Sequence, residues 1–279
     1  MYPALSPGMI GVDMPFDAAA RLAADVGFKG ISVNIGAAAS DPAAVQRTLK
    51  AHKLRPAAWG LSVEFRRDEE SFRRGLAELP ETAKAARAVG ADRCSTWIMP
   101  ISDTLAFQAN FDMHKTRLRA CAEVLAEHDC RLGLEFVGPK TAREGHPHDF
   151  IHTQDGMLDL CQAIGTGNVG LLFDAFHWHT SHGTRDDIRR LSDALVVDVH
   201  INDAAEGRGP DEQIDNDRRL PGESGVIDLV GFLSGLNEIG YTGPVTPEPF
   251  SAKVRSMVPE DAIRATAEAL LGVWRAAGV

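Results

Sequence analysis

Four ionisable residues stand inside apolar runs. Glu135 lies in Leu132-Gly-Leu-Glu135-Phe-Val137, Asp174 in Gly170-Leu-Leu-Phe-Asp174, His200 in Leu195-Val-Val-Asp-Val-His200, and Glu248 in Val245-Thr-Pro-Glu248-Pro-Phe250. Such runs read as parallel strands covered on both faces, where an isolated carboxylate is costly unless it is paired or bound to a cation. Three carboxylates and one imidazole on four strands have the composition of a ligand set for one divalent metal. The set is oxygen-rich, which puts Mn²⁺ first, then Mg²⁺ or Co²⁺, with Zn²⁺ compatible only as an open site rather than a closed structural one. The competing explanation is that each is a salt-bridge partner or a surface group at a strand end. It weakens when four recur together, because buried unpaired charge is rare.

The elements that must carry these residues follow from the pattern around them. Strand-like runs fall near 9–13, 30–36, 55–63, 93–100, 131–138, 169–178, 195–203 and 244–250, and helical periodicity fills the intervals. Phe107, Phe111, Leu118, Cys121 and Leu125 share one stripe, as do Ile263, Ala267, Leu270, Leu271 and Trp274. Ser40-Asp-Pro and Pro259-Glu-Asp are helix-start signals. Eight β/α units over residues 1–279 predict an α/β fold, a single-domain (β/α)₈ TIM barrel, at about 35 residues per unit. A doubly wound open sheet is the alternative, but no Gly-rich phosphate loop follows the first strand. The candidate ligands are 39, 26 and 48 residues apart, which assigns them to the fifth to eighth strands. Each sits toward the C-terminal end of its run, the end where barrels place their active sites.

Composition narrows the partners. The chain has 279 residues, 44% of them hydrophobic, and a net charge of −10, which disfavours nucleic acid as an electrostatic partner. Cys94, Cys121, Cys130 and Cys161 form no CxxC pair or dense framework, which fits a reducing cytoplasm. The first residues lack the pattern of a signal peptide, and no run approaches the ~20 apolar residues of a membrane helix. A small-molecule substrate and no membrane partner are therefore the expectations, and a homo-oligomer is possible because barrel enzymes commonly associate through their outer helices. The connections 140–153 and 204–224 are long enough to serve as substrate walls or lids.

The segments Leu134-Glu-Phe-Val-Gly138, Asn168-Val-Gly-Leu-Leu-Phe-Asp-Ala-Phe-His-Trp-His179, Val199-His-Ile-Asn-Asp203, Arg218-Arg-Leu-Pro-Gly222 and Pro247-Glu-Pro-Phe250 resemble the sugar phosphate isomerase/epimerase superfamily, the xylose isomerase-like TIM barrels. The inosose isomerase branch is the nearest resemblance. It implies that Glu135, Asp174, His200 and Glu248 hold the metal, and that Glu135 and Glu248 also act as catalytic acid and base on opposite faces of a keto-sugar or keto-cyclitol. Proton removal beside the ketone would then give an enediolate, which a second proton transfer turns into the isomer. The resemblance further makes His177 and Arg218 substrate-binding residues. Because strand alternation would put His177 on the opposite face from Asp174, the chain is expected to turn between them.

Trp97, with Trp59 and Trp178, is a candidate platform for a sugar or cyclitol ring, and Lys140 is a candidate to reach the site; packing and solvent exposure are the respective alternatives. His179 and His182 could line the mouth, and His114, on an apolar stripe, reads as a core histidine. Two departures bear on activity. The third and fourth strands, Arg55-Pro-Ala-Ala-Trp-Gly60 and Arg93-Cys-Ser-Thr-Trp-Ile-Met-Pro100, lack the histidines of the endonuclease branch, so a three-metal apurinic-site endonuclease is a poor reading. Thr141 stands where ketose 3-epimerases place a further glutamate. The same enolate chemistry followed by loss of a β-leaving group gives the main alternative, a dehydratase or lyase on an inosose or 3-keto-glycoside.

Overall fold

The runs around the four ionisable residues are buried at almost every position, as parallel strands covered on both faces must be. The computed structural model describes all 279 residues. Its barrel strands are β1 Tyr2–Leu5, β2 Gly30–Ile31, β3 in two halves, Arg55–Pro56 and Trp59–Gly60, β4 Arg93–Ile98, β5 Arg131–Phe136, β6 Val169–Asp174, β7 Val196–Ile201 and β8 Pro244–Pro247. The parallel sheet runs from Arg55–Pro56 through β2, β1, β8, β7, β6, β5 and β4 to Trp59–Gly60. Its two ends are the halves of β3, separated only by Ala57 and Ala58, so the sheet closes into an eight-stranded barrel.

Helices Phe16–Asp25, Pro42–Ala51, Glu69–Ala88, Phe107–Glu127, Gln154–Ile164, Arg185–Arg189, Leu229–Glu238 and Pro259–Ala277 follow the strands in turn. Their start signals act as read: Asp41 accepts a hydrogen bond from the Ala44 N–H at 2.9 Å ahead of Pro42, and Pro259 opens the last helix. Barrel and helices share one buried apolar cluster of 65 residues. No helix is long and apolar enough to cross a membrane. All four cysteines are free and buried.

Several boundaries differ from expectation. The first strand is Tyr2–Leu5, not 9–13; Pro7–Ile10 forms a 3₁₀ turn that ends at Gly11 with φ +75°. Tyr2-Pro-Ala-Leu5 is fully buried but too short to show a period, whereas Ile10 and Val12 alternate like a strand while belonging to a turn. The second strand shrinks to Gly30–Ile31 because Asn34 caps a short helix, Ile35–Ser40. On the C-terminal side of the barrel, β6 stops at Asp174 rather than 178. The Asp174 carboxylate takes hydrogen bonds from the N–H groups of Phe176 (2.5 Å) and His177 (3.2 Å), which starts the helix Ala175–Thr180. The expected turn between Asp174 and His177 is this helix. Phe107, placed on a core stripe, is exposed and stacks on Phe111.

Candidate metal centre

Strand register converts four separated residues into one cluster. Asp174 and His200 are direct partners across β6 and β7, and the Glu248 N–H donates to the Ile201 carbonyl at 3.1 Å, one residue beyond β8. Glu135 is the penultimate residue of β5. One ligand atom from each of Glu135, Asp174, His200 and Glu248 lies within 4.8 Å of every other. The β6–β7 register shifts between Val196 and Asp198, a bulge of the kind that re-aims side chains near active sites. Asp198 and His200, two residues apart, then share one strand face.

The electrostatics are those of a charge cluster in low dielectric. Burial and the neighbouring Glu248 push the Glu135 carboxyl well above the usual range, and His200 opposes this only in part. Burial also acts against ionised Asp174, but Arg218, His177, His200 and the helix N–H bonds outweigh it and hold that carboxyl low. Burial alone would make His200 neutral; Glu248, Asp198 and Glu135 instead raise it to about 10. Glu135 Oε1 and His200 Nδ1 are buried, 3.7 Å apart, and have no hydrogen-bond partner. His200 Nδ1 is also 3.5 Å from Glu248 Oε2. Two orphaned ligand atoms facing each other among carboxylates fit a divalent cation, which would stabilise the charge on Glu135 and take the place of the His200 proton.

Around this cluster are residues that the sequence reading did not single out. Asp198 Oδ2 faces His200 Nε2 at 3.6 Å and accepts a hydrogen bond from Ser95 Oγ at 3.1 Å, so the imidazole turns Nδ1 toward the ligand cluster. Asn202 Nδ2 donates to Asp174 Oδ2 at 3.0 Å. Asp215 accepts from Arg218 Nη2 at 2.7 Å. Only the i, i+2 spacing of Asp198 and His200 was visible as a signal; Asn202 and Asp215 lie in segments without a period.

His177 and Arg218 both join the cluster and both are buried. Arg218 lies between the rings of Phe176 and Phe250, at 4.6 and 4.5 Å, and Phe250 takes φ +37° to reach it. Its Nη1 donates to Asp174 Oδ2 and Glu248 Oε2, both at 3.1 Å. The Gly138 N–H points at His177 Nδ1 at 3.2 Å, an approach that a Cβ at position 138 would block by running into His177 O and Thr180 Oγ1. Nδ1 is therefore the acceptor, and neutral His177 carries its proton on Nε2. Burial favours this neutral form. Arg218 Nη2, also a donor, lies 3.2 Å from Nε2. Two N–H donors thus face each other, and the carboxylate oxygen near both is Asp215 Oδ1, 2.7 Å from Nη2 and 3.8 Å from Nε2.

The other candidates separate. Trp97 is half-exposed and lines the two cavities beside the cluster. Trp59 lines one cavity, whereas Trp178 is buried and donates to the Thr184 carbonyl. Lys140 is not brought to the site: its ammonium points away to Asp211 at 4.0 Å. Thr141 does line the cavity, and its Oγ1 donates to the Gln213 carbonyl at 2.7 Å, joining the two long connections. His182 pairs with Asp211 at 2.8 Å on the surface. His114 is the core histidine expected, packed on Phe65 and Phe150.

The sequence profile of the xylose isomerase-like TIM barrels matches residues 20–273. This chain belongs to that family. It is 28% identical over 227 residues to an inosose isomerase of Bacillus velezensis, an alignment covering 78% of this chain and 75% of that protein. Among solved structures it resembles a xylose isomerase domain protein from Alicyclobacillus acidocaldarius, with TM-score 0.89, 30% identity and full coverage of both chains. The IolI protein, solved with a bound zinc atom, superimposes with TM-score 0.81 at 20% identity over 98% of each chain, a likeness of fold.

Proposed function

We propose that the chain is a divalent-metal-dependent isomerase or epimerase of a keto-sugar or keto-cyclitol, with Glu135, Asp174, His200 and Glu248 as metal ligands and Glu135 and Glu248 as the proton-transfer pair. The observation that carries this reading is the pair of orphaned buried atoms, Glu135 Oε1 and His200 Nδ1, inside a four-residue ligand cluster at the barrel mouth. The relatives named inosose isomerase support the substrate class. A metal in the neighbouring IolI structure supports the cofactor class, while the oxygen-rich donor set puts Mn²⁺ ahead of zinc.

The bound metal would polarise a ketone and its neighbouring hydroxyl and so acidify the C–H between them. Glu135 and Glu248 both line both cavities, where a substrate carbon set between them meets a carboxylate from either side. Arg218 aligns Glu248 and Asp174 through Nη1. The facing Nε2–H of His177 and Nη2–H of Arg218 supply two donors for one substrate oxygen, and holding that oxygen fixes which C–H faces the glutamates.

Incubation of Mn²⁺-loaded protein in D₂O with inososes, ketohexoses and 3-keto-glucosides, read by NMR and mass, tests the reading. Deuterium beside the carbonyl in a product of otherwise unchanged skeleton is expected. Exchange accompanied by loss of water or aglycone would replace the isomerase with a lyase, and absence of exchange from every ketone would remove the proton-transfer mechanism.

A further inference from the structure

The cavity above His177 and Arg218 is larger than a single sugar ring requires, and its apolar residues gather at the opening. It holds about 780 Å³. Its floor is polar, formed by Glu135, His177, Arg218 and Glu248. Its rim is not: Trp97, Met99 and Ile214 all line it and are 44%, 38% and 47% exposed. They are three of the six large hydrophobic residues that the whole chain leaves exposed, and they gather at one opening. Apolar side chains grouped at the mouth of a polar site are the mark of a ligand with an apolar part.

The rim is also prepared for a ring. The Arg66 guanidinium sits 4.4 Å over the Trp97 indole, and Arg66 Nη2 donates to Thr96 Oγ1 at 2.9 Å, so the indole is held in place while nearly half of it stays open. Met99 and Ile214 add side chains that adapt to a flat surface without demanding hydrogen bonds. The charge pattern selects against an anion. Arg218 is the single cationic side chain in the lining and is already engaged by Asp174, Glu248 and Asp215; with a divalent ion on the cluster, the carboxylates Glu135, Asp174, Glu248 and Asp215 still outnumber the positive charges by one.

We propose that the substrate is an uncharged keto-sugar carrying an aromatic aglycone, with the keto ring at the four-residue cluster and the aglycone on Trp97, Met99 and Ile214. This rests on the function proposed above and adds the second half of the substrate.

The test compares Mn²⁺-loaded protein on the 3-keto form of 4-nitrophenyl β-glucoside and on free 3-keto-glucose. It also measures binding of unoxidised 4-nitrophenyl β-glucoside by calorimetry, a readout that needs no turnover. The aryl substrate should be preferred in kcat/KM by at least about tenfold, the scale at which an apolar pocket discriminates. Met99→Ser/Ile214→Ser should bring that ratio toward one and weaken binding of the unoxidised glycoside. Equal kcat/KM for the two ketones in the wild-type protein would overturn the aglycone site while leaving the proton-transfer reading intact. No exchange on either ketone would overturn this keto-sugar as the substrate and leave the proton-transfer reading to the inososes and ketohexoses, and the calorimetry would then still decide whether the rim binds an aryl glycoside. A rim that binds no aryl glycoside, with the double variant converting a dimer to a monomer on light scattering, would make it an interface between copies instead.

Discussion

The two halves of the barrel share a backbone plan and divide the work. Strands β5 to β8 bring Glu135, Asp174, Asp198, His200 and Glu248 to the mouth, and nearly every residue of them is buried. Strands β1 to β4 and their loops line the adjoining cavity with Ser6, Ser32, Asn34, Ala57 and Thr96, none of them ionisable. Two buried histidines show what the difference means. His114, in the helix after β4, is driven down to about 4 by burial, with Arg66 and Arg117 acting in the same direction. His200 is as deeply buried, yet carboxylates raise it to about 10. Convergent charge, not burial, marks the half that carries the candidate site.

Removing a member of the charged half should have the largest effect. Glu135→Gln or Glu248→Gln is expected to lower kcat by about 10²–10⁴-fold, the usual contribution of a positioned acid or base, as steady-state deuterium exchange would show. Activity within a few-fold of wild type in either variant would break the assignment. Behind His200, Asp198→Leu leaves all four candidate ligands in place but frees the imidazole ring. Divalent metal affinity should fall by about 10–100-fold on calorimetric titration, with Asp198→Asn closer to wild type. Unchanged affinity in Asp198→Leu would show that the strand alone orients His200.

His114 sharpens the comparison through pH. Its folded-state pKa is depressed, so between about pH 6.5 and 4 the unfolded chain binds a proton that the folded chain refuses, and stability falls as pH falls through that window. The shift corresponds to about 3 kcal/mol. Urea unfolding of wild type against His114→Leu should therefore move in favour of the variant by about that amount between pH 7 and pH 4; a constant difference would contradict a neutral buried imidazole. At the small end, Ser32→Ala or Asn34→Ala, on the uncharged wall, should alter KM by no more than about tenfold, the upper range of one lost neutral hydrogen bond, and leave metal affinity as it was. A loss of metal from either variant would dissolve the division between the halves.

That division also explains what could be read from the sequence. Charged residues inside apolar runs stand out, so Glu135, Asp174, His200 and Glu248, and the unit spacing that implies a barrel, were legible. The first half has no such marker: Tyr2–Leu5 and Gly30–Ile31 are too short for a period, and the alternating Ile10 and Val12 imitated a strand that Pro7 and Gly11 turn into a bend. Lys140 was drawn toward the site by nearness in sequence to Glu135, but Pro139 and the 3₁₀ turn Lys140–Ala142 face it to Asp211. Asn202 and Asp215 were missed because their roles arise from tertiary contacts to Asp174 and Arg218. The apolar rim was hidden for the same reason, since Trp97 and Met99 meet Ile214 only across the mouth.

The measurement that bears most directly on the account is metal stoichiometry by equilibrium dialysis and elemental analysis. It would compare wild type with Glu135→Gln, Asp174→Asn and His200→Ala, each checked for native circular dichroism. One divalent ion per chain in the wild type, and well below one in all three folded variants, is the predicted result. Retention of a full equivalent by the variants, or no binding by the wild type, would contradict a metal centre built from the second half of the barrel.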